Sequence, residues 1–318
     1  MSETPKVLVT GGAGFIGSNL ADELIRRGAR VTIIDDLSTG FRENLEEISG
    51  SFDFVEGDIN DDELVRSVIE GVDTVYHQAA LPSVPRSVEN PAETHRVCVD
   101  GTFSLLVRAR DAGVRRFIYA ASSSAYGDQP TLPKVETMRP DPLSPYAVAK
   151  LTGESYCRAF HNVYGLETIS LRYFNVFGPR QNPSSMYSGV ISRFIDSLAK
   201  GQRPVIFGDG LQSRDFTYID NVVDANIKAA EAASGIGEVM NAANGERVTL
   251  LELLDVLKVI MSLEGVEPDF HPPRKGDVKH SQADNGRAVE CLGYKKLVGL
   301  EEGLRSTLEW WRSSRFAA

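Results

Sequence analysis

Residues 6–17, Lys-Val-Leu-Val-Thr followed by Gly-Gly-Ala-Gly-Phe-Ile-Gly, constrain the fold more than any other stretch of the chain. A strand-forming run enters Gly11, Gly14 and Gly17 in a G-x-x-G-x-x-G spacing, and helical apolar periodicity begins at Phe15. A strand that turns on glycine into a helix aims the helix's first N–H groups at one point, where the helix dipole favours an anion. One glycine permits the turn, another admits a pyrophosphate against the backbone, and a third lets helix and strand pack closely. The spacing alone is also compatible with a turn that binds nothing. The following strand makes it specific, because it ends in Asp35, whose carboxylate can accept from adenosine ribose hydroxyls. Asp35 and Asp36 together repel a 2′-phosphate, and no arginine adjoins them in sequence, so NAD is predicted rather than NADP.

The first half continues as short β-branched runs alternating with helical segments, the pattern of a parallel sheet covered on both faces. Strands are predicted at 6–10, 31–35, 52–56, 74–77 and 117–121, with helices at 15–27, 61–69 and 92–112. Five prolines interrupt residues 130–145, until Ser144-Pro145 offers an N-cap and a first-turn proline for a helix running to about Tyr164. The predicted class is a doubly wound α/β fold, a Rossmann sheet over 1–175, with a smaller mixed α/β substrate-binding lobe over 176–318 that interleaves with it. In that lobe helices are expected near 190–200, 221–232, 250–262 and 301–312, after a strand at 167–172, with short strands at 205–207 and 216–218.

Composition removes other classes. The 318-residue chain carries a net charge of -10 and no basic cluster, which disfavours nucleic acid as a partner. No stretch approaches the roughly 18 apolar residues of a membrane span. The opening residues lack the basic and apolar regions of a signal peptide. Cys98, Cys157 and Cys291 lie far apart without metal-ligand spacing, so neither a disulfide framework nor a metal site is predicted, and a reducing cytoplasm is expected.

Tyr146 and Lys150 stand four apart and share one face of the predicted helix. A tyrosine is a poor base at neutral pH, but a nearby ammonium and a cationic nicotinamide would stabilise its phenolate. This spacing is common on solvated helices and gains meaning from its place after the glycine loop and the fifth strand. That strand ends in Ser122-Ser123-Ser124, hydroxyls at the sheet edge where substrate lies in such folds. The plain alternative is a serine turn capping the strand. Asp58, closing the third strand, can sit near the adenine or be an ordinary loop carboxylate, and Gln78, Ala79 and Ala80 leave room for the cofactor at the same edge.

The segments TGGAGFIGS, DDLSTG, EGDI, HQAALPSVPRSVENP, SSSAYGD, SPYAVAK, LRYFNVFGPRQNP, FGDGLQSRDFTYID and GDVKHSQAD, in this order, carry a resemblance over essentially the whole chain. The chain resembles the extended short-chain dehydrogenases/reductases, and within them the UDP-glucose and UDP-N-acetylglucosamine 4-epimerases. The resemblance implies NAD held by Gly11, Gly14, Phe15, Ile16, Gly17, Asp35, Asp36, Leu37, Ser38, Thr39, Gly40, Asp58, Ile59, Gln78, Ala79, Ala80, Tyr146, Lys150 and Tyr173. It implies a cycle in which Tyr146 removes the C4 hydroxyl proton while NAD takes the C4 hydride, after which the 4-keto sugar turns over and is reduced on its other face. Ser122 matches the catalytic Ser/Thr, with Ser123 as a helper.

For the UDP-sugar, the resemblance implies contacts from Ser83, Ser122, Tyr146, Asn175, Gly189, Val190, Val205, Phe207, Arg214, Arg274, Asp277 and Ser281. Arginine forks suit a diphosphate, although a lone surface arginine is by default an ion pair of little consequence. In the resembled epimerases a tyrosine at the position of Ser281 goes with UDP-glucose and UDP-galactose only, and a small residue leaves room for an N-acetyl group. Two departures stand out: Cys98 replaces an asparagine common at the start of an N-V-x-G-T helix, and Pro82 stands where some relatives place a lysine. Rival reactions on the scaffold are 4,6-dehydration, decarboxylation and epimerisation of UDP-glucuronate; the first two call for an acid at 123 or 124, where this chain has serine. A non-catalytic NAD sensor is the alternative of another class. The resemblance further implies a homodimer through helices 92–112 and 145–164.

Overall fold

A computed structural model describes residues 4–182, 189–273 and 278–314. The strands are β1 (Lys6–Thr10), β2 (Arg30–Asp35), β3 (Asp53–Glu56), β4 (Thr74–His77), β5 (Arg116–Ser122), β6 (Glu167–Tyr173), β7 (Val176–Phe177), β8 (Val205–Phe207), β9 (Ser213–Arg214), β10 (Thr217–Tyr218), β11 (Val239–Ala242), β12 (Val248–Thr249) and β13 (Asp269–His271). The helices are α1 (Phe15–Arg26), α2 (Arg42–Glu46), α3 (Asp62–Ile69), α4 (Val84–Glu89), α5 (Pro91–His95), α6 (Gly101–Asp111), α7 (Pro145–Tyr164), α8 (Val190–Ala199), α9 (Ile219–Glu231), α10 (Leu250–Met261), α11 (Gly286–Leu292) and α12 (Leu300–Ser313). Among the described residues no helix is long and apolar enough to cross a membrane.

Seven strands form one parallel sheet in the order β3-β2-β1-β4-β5-β6-β11. The order reverses between β1 and β4, which opens a crevice at their C-terminal ends. Successive residues of a strand point to opposite faces, so β1 sends Val7 and Val9 into one apolar cluster and Leu8 into the other. The first cluster is completed by α1 and α9, the second by α3, α6 and α7.

The predicted doubly wound class and its first five strands are found, each within one residue of its expected bounds. Helix α7 begins where Ser144 and Pro145 place it, with Ser144 Oγ accepting from Ala147 N–H at 3.2 Å, and Gly165 ends it at φ 75°. Two expectations need correction. The helix predicted over 92–112 starts earlier, at Pro91, because Asn90 caps it through Glu93 N–H by the same cap-proline logic, and residues Arg96–Asp100 widen into a π turn before α6. A strand was also missed: β11, residues 239–242, returns to the large sheet and pairs with β6 in the register Met240 to Leu171. Four residues with only one β-branched side chain give periodicity little to detect. The remaining short strands form two-residue or three-residue pairs, β7 with β10, β9 with β12 and β8 with β13.

Candidate active site

The glycine loop is compressed beyond what any side chain allows. A Cβ on Gly17 would lie 2.2 Å from the Gly11 carbonyl oxygen, and Gly11, at φ 68°, sits against the backbone of Ala79. No side chain caps α1 at Gly14, so its first N–H groups face the crevice without a protein partner of that kind. This is the arrangement a pyrophosphate requires, and Phe15 and Ile16 supply the first turn.

Gly11, Asp35, Asp36, Ser38, Thr39, Asp58, Ile59, Ala79 and Ala80 line one cleft beside the loop. The Asp35 carboxylate is partly committed there: it accepts from Leu37 N–H at 2.8 Å and Ala13 N–H at 3.0 Å, tying the end of β2 to the loop. Burial pushes its pKa up against these backbone N–H groups and that of Gly14. Asp36 accepts from the backbone and hydroxyl of Ser38, while Leu37 adopts φ 58° and Gly40 leaves the Asp35 oxygen its space. Asp58 lines the cleft but holds Arg96 at 2.6 Å and both nitrogens of Asn60 at 2.9 Å; these outweigh the burial that opposes its charge and keep its pKa low. Arg96 was not anticipated, because it comes from the π turn, 60 residues along the chain from Asp36. Its pairing with Asp58 leaves it no unopposed charge to offer a 2′-phosphate.

Tyr146 sits half-buried in the first turn of α7, close to Ser122, the last residue of β5. Burial pushes the phenol well above its ordinary pKa, and the Ser122 hydroxyl is the neighbour that opposes this. Lys150, one turn further on, is buried, donates to the Ala120 carbonyl at 2.8 Å and lies over the Tyr119 ring. That bond uses one of the three donors of the ammonium, and burial lowers the lysine's own pKa. Ser123 begins a short 3-10 turn whose cap is the Ser122 oxygen, so Ser122 serves both the turn and Tyr146.

Beneath Lys150 lies His77, which the sequence reading passed over. Thr102 Oγ1 donates to the Cys98 carbonyl and so accepts from Nε2–H at 2.9 Å; Nδ1 of the neutral ring is then the acceptor, and Thr10 Oγ1, which accepts from Ala79 N–H, donates to it at 2.7 Å. The ring is thereby a neutral Nε2–H tautomer, and burial together with the Lys150 charge pushes its pKa down to about 3. Cys98, the departure noted above, is buried in the π turn and its sulfur accepts from Leu81 N–H at 3.5 Å. A further turn along α7, Glu154 forms a buried two-bond pair with Arg172 of β6 at 2.7 and 2.9 Å. Removing one partner of such a pair costs about 3–5 kcal/mol, so it anchors the face that carries Tyr146 and Lys150. Gln78 and Tyr173 meet at the edge of the sheet, both bonded to the buried Oδ1 of Asn226 on α9, another residue the sequence reading missed.

The residues expected to meet a sugar nucleotide come from distant segments. Asn175, at φ 33°, donates from Nδ2 to the Asp215 carbonyl at 3.0 Å and the Ser281 hydroxyl at 3.4 Å. Arg214 Nη1 donates to the carbonyls of Ser213 and Lys279. Residues 279–283 are held against β9 by Ser213 N–H to Lys279 O and Ser281 N–H to Ser213 O. Asp215, fully buried, fastens them: its carboxylate accepts from Asn244, Gly245 and Ala283 N–H, all at 3.0 Å. Burial pushes its pKa up to about 7 against these three bonds. Phe207 in β8 meets the His271 ring edge-on, Val205 starts the same strand, and Gly189 and Val190 open α8. Ser83 is buried and caps α4 through Arg86 N–H, which takes up part of its capacity to meet a sugar. Arg274 and Asp277 lie outside the described residues.

Comparison with known proteins agrees with this geometry. Residues 7–243 match the NAD dependent epimerase/dehydratase family. A UDP-glucose 4-epimerase of Mycolicibacterium smegmatis is 41% identical over 312 residues, covering 97% of this chain and 99% of that protein. The structure of the Thermotoga maritima UDP-glucose 4-epimerase with UDP-glucose superposes with a TM-score of 0.92 at 41% identity, over 97% of this chain and 99% of the other. A UDP-N-acetylglucosamine 4-epimerase from Methanobrevibacter ruminantium, in complex with UDP-N-acetylmuramic acid, gives 0.93 at 38% identity, over 98% and 99%. A glycine loop shaped for pyrophosphate, a serine-tyrosine pair at the edge of β5 and these matches along nearly the full length lead to one statement: the chain belongs to the NAD-dependent epimerase/dehydratase family of extended short-chain dehydrogenases/reductases, and its cofactor is NAD.

Proposed function

We propose that this protein is a UDP-sugar 4-epimerase that acts on UDP-glucose and UDP-galactose and, through a small residue at 281, on their N-acetylated counterparts. The glycine loop, Asp35 and the cleft beside them hold NAD, which supplies a hydride acceptor at C4 of the sugar and returns the hydride to the other face. Tyr146 as phenolate takes the proton of the C4 hydroxyl, and Ser122 donates to the same oxygen as it becomes a carbonyl. Tyr146 then gives the proton back, so no net charge or co-reactant remains. Asn175, Arg214 and the strand containing Val205 and Phe207 hold the UDP, with Arg274 and Asp277 completing the contacts to its diphosphate and ribose; Ser83 and Ser281 border the sugar. The observation that carries the reading is Tyr146 in the first turn of α7 with the Ser122 hydroxyl, at the end of β5, acting on its phenol, followed by Ser123 and Ser124 where elimination or decarboxylation needs an acid.

The test is incubation with UDP-glucose, UDP-galactose, UDP-N-acetylglucosamine and UDP-N-acetylgalactosamine, with products separated by chromatography. Interconversion within both pairs is expected, and Tyr146→Phe should lower it by about 10²–10⁴-fold with the fold intact. No conversion of any of the four removes the epimerase assignment; conversion of the first pair only removes the inference from Ser281. We further propose a homodimer through α6 and α7, whose outer surface exposes Phe103, Val148, Val163 and Tyr164.

A further inference from the structure

Charge governs which dinucleotide the cleft beside the glycine loop accepts, and one charge at its rim is withheld. Among the described residues that line the cleft are three carboxylates, Asp35, Asp36 and Asp58, and no cation. Arg96 stands at the rim, next to the lining residue Val97, and its Nη1 donates to Asp58 Oδ2 at 2.6 Å. We propose that Asp58 is a positioning residue for cofactor specificity: it holds Arg96 away from the adenosine ribose, and without that hold Arg96 would serve a 2′-phosphate and admit NADP.

Both ends of the pair are set by their backbones. Asp58 Oδ1 accepts from the N–H and the side-chain amide of Asn60, each at 2.9 Å, which turns Oδ2 toward Arg96. Arg96 opens the π turn Arg96–Asp100, and the chain that follows packs on the same segment: a Cβ on Gly101 would lie 2.7 Å from Ile59 Cδ1 and 3.3 Å from Asn60 Nδ2. Glu93, three residues before Arg96, is engaged by Arg86 at 3.0 Å and by Asn90. An ion pair whose guanidinium is 49% exposed and whose carboxylate is 33% exposed adds little to stability. Its consequence lies in where it keeps the guanidinium. β2 and β3 are neighbours in the sheet, with Asp35 opposite Glu56, and neighbouring strands lie about 4.8 Å apart. Asp36 and Asp58 therefore follow adjacent strand ends, and a guanidinium released by Asp58 has the ribose side of the cleft one strand away. The bond to Asp58 raises the pKa of Arg96 most and the charge of Asp36 adds to it, so Arg96 and Asp36 stand within electrostatic reach. The arginine fork matches the oxygens of a phosphate.

The inference rests on NAD as the cofactor and is independent of the sugar that is turned over. NAD and NADP differ at one ribose hydroxyl, so any contact of Asp58 with the adenine cancels in the ratio of their dissociation constants, measured by calorimetry on the same protein. Asp58→Asn keeps the size and the turn to Asn60 and drops the charge. It is expected to lower the NADP-to-NAD ratio of dissociation constants by about 10-fold, the low end for a bond to a charged group. The gain should vanish near 1 M salt, where charges are screened beyond about 3 Å. Asp58→Glu, which retains the charge, should keep the parent ratio, and Asp58→Asn combined with Arg96→Gln should return to it. An unchanged ratio in folded Asp58→Asn overturns the proposal. So does a lowering that survives in full in the double variant, because the lost carboxylate then acts by itself and not through Arg96. Should Asp58→Asn not fold, Asp58→Ser, whose hydroxyl keeps the turn to Asn60 N–H, carries the same expectations and the same refutations.

Discussion

Almost every residue expected around the cofactor stands at the C-terminal end of a strand in the seven-stranded sheet or in the turn that follows it: Gly11 after β1, Asp35 on β2, Asp58 after β3, Gln78 after β4 and Ser122 on β5. The residues proposed for the sugar nucleotide have no such frame. Asn175, Asp215 and Ser281 come together across two-residue strand pairs and single hydrogen bonds that join residues 40 and 106 positions apart. In the first half each part is fixed by the sheet register, so a fault is confined to one turn and is severe there. In the second, one buried carboxylate holds two other segments, 244–245 and 283, so damage spreads through position more than through chemistry.

The largest effect expected from this contrast comes from Gly17→Ala. The added methyl would meet the Gly11 carbonyl at 2.2 Å, a backbone atom that cannot rotate away. The loop must open, at a cost of about 1–3 kcal/mol in stability, and NAD affinity measured by calorimetry should fall by ~100-fold, about 2.7 kcal/mol. Wild-type affinity for NAD would mean that the tight loop is packing alone and the pyrophosphate binds elsewhere. UDP binding should be nearly unchanged, which is the part that tests the independence of the two halves.

This contrast also explains what could be read from sequence. Consecutive βα units leave a local record: the glycine spacing, Asp35, the Ser144-Pro145 helix start and Tyr146 with Lys150 each lie within one element. His77 and Asn226 left none, because their roles depend on partners in other elements, Thr10 and Thr102 for one and Gln78 and Tyr173 for the other. Asp215 stood beside the singled-out Arg214 and was overlooked, since nothing local shows a carboxylate gathering amides from residues 244, 245 and 283.

Asp215→Asn gives the next effect. An amide can keep the oxygen that serves Gly245 and Ala283 but turns its NH2 toward Asn244 N–H, leaving a buried donor without an acceptor for about 1–3 kcal/mol. The pH dependence carries the sign. The folded pKa of Asp215 is raised to about 7, so the stability it contributes is fully present below the ordinary carboxylate range and is lost as pH rises through about 7. Asn does not titrate, so by denaturant unfolding the variant should be most inferior to the parent in acid and should close the gap above about 7. An identical gap at both ends would show that the carboxylate does not change protonation there. KM for a UDP-sugar should rise more than kcat falls, because residues 279–283 lose their fastening while Tyr146 and Ser122 stay on the sheet.

Ser281→Tyr should produce the smallest and most selective change. Ser281 is partly exposed, its N–H is tied to Ser213 O and its hydroxyl faces Asn175, so a ring on the same Cβ can enter the cleft without displacing the backbone. Crowding of this kind is worth about 1–3 kcal/mol, or ~10–200-fold in kcat/KM, against the bulkier substrate. Turnover of the N-acetylated pair should fall by that factor while turnover of UDP-glucose and UDP-galactose changes by no more than ~3-fold, about 0.65 kcal/mol. Equal losses on both pairs would mean that residue 281 acts through the docking of its segment, as Asp215 does, and not through the space it leaves. Equal retention would mean that the acetyl group lies against another wall, and the boundary between the two halves of the cleft would have to be redrawn around Ser83 and α4.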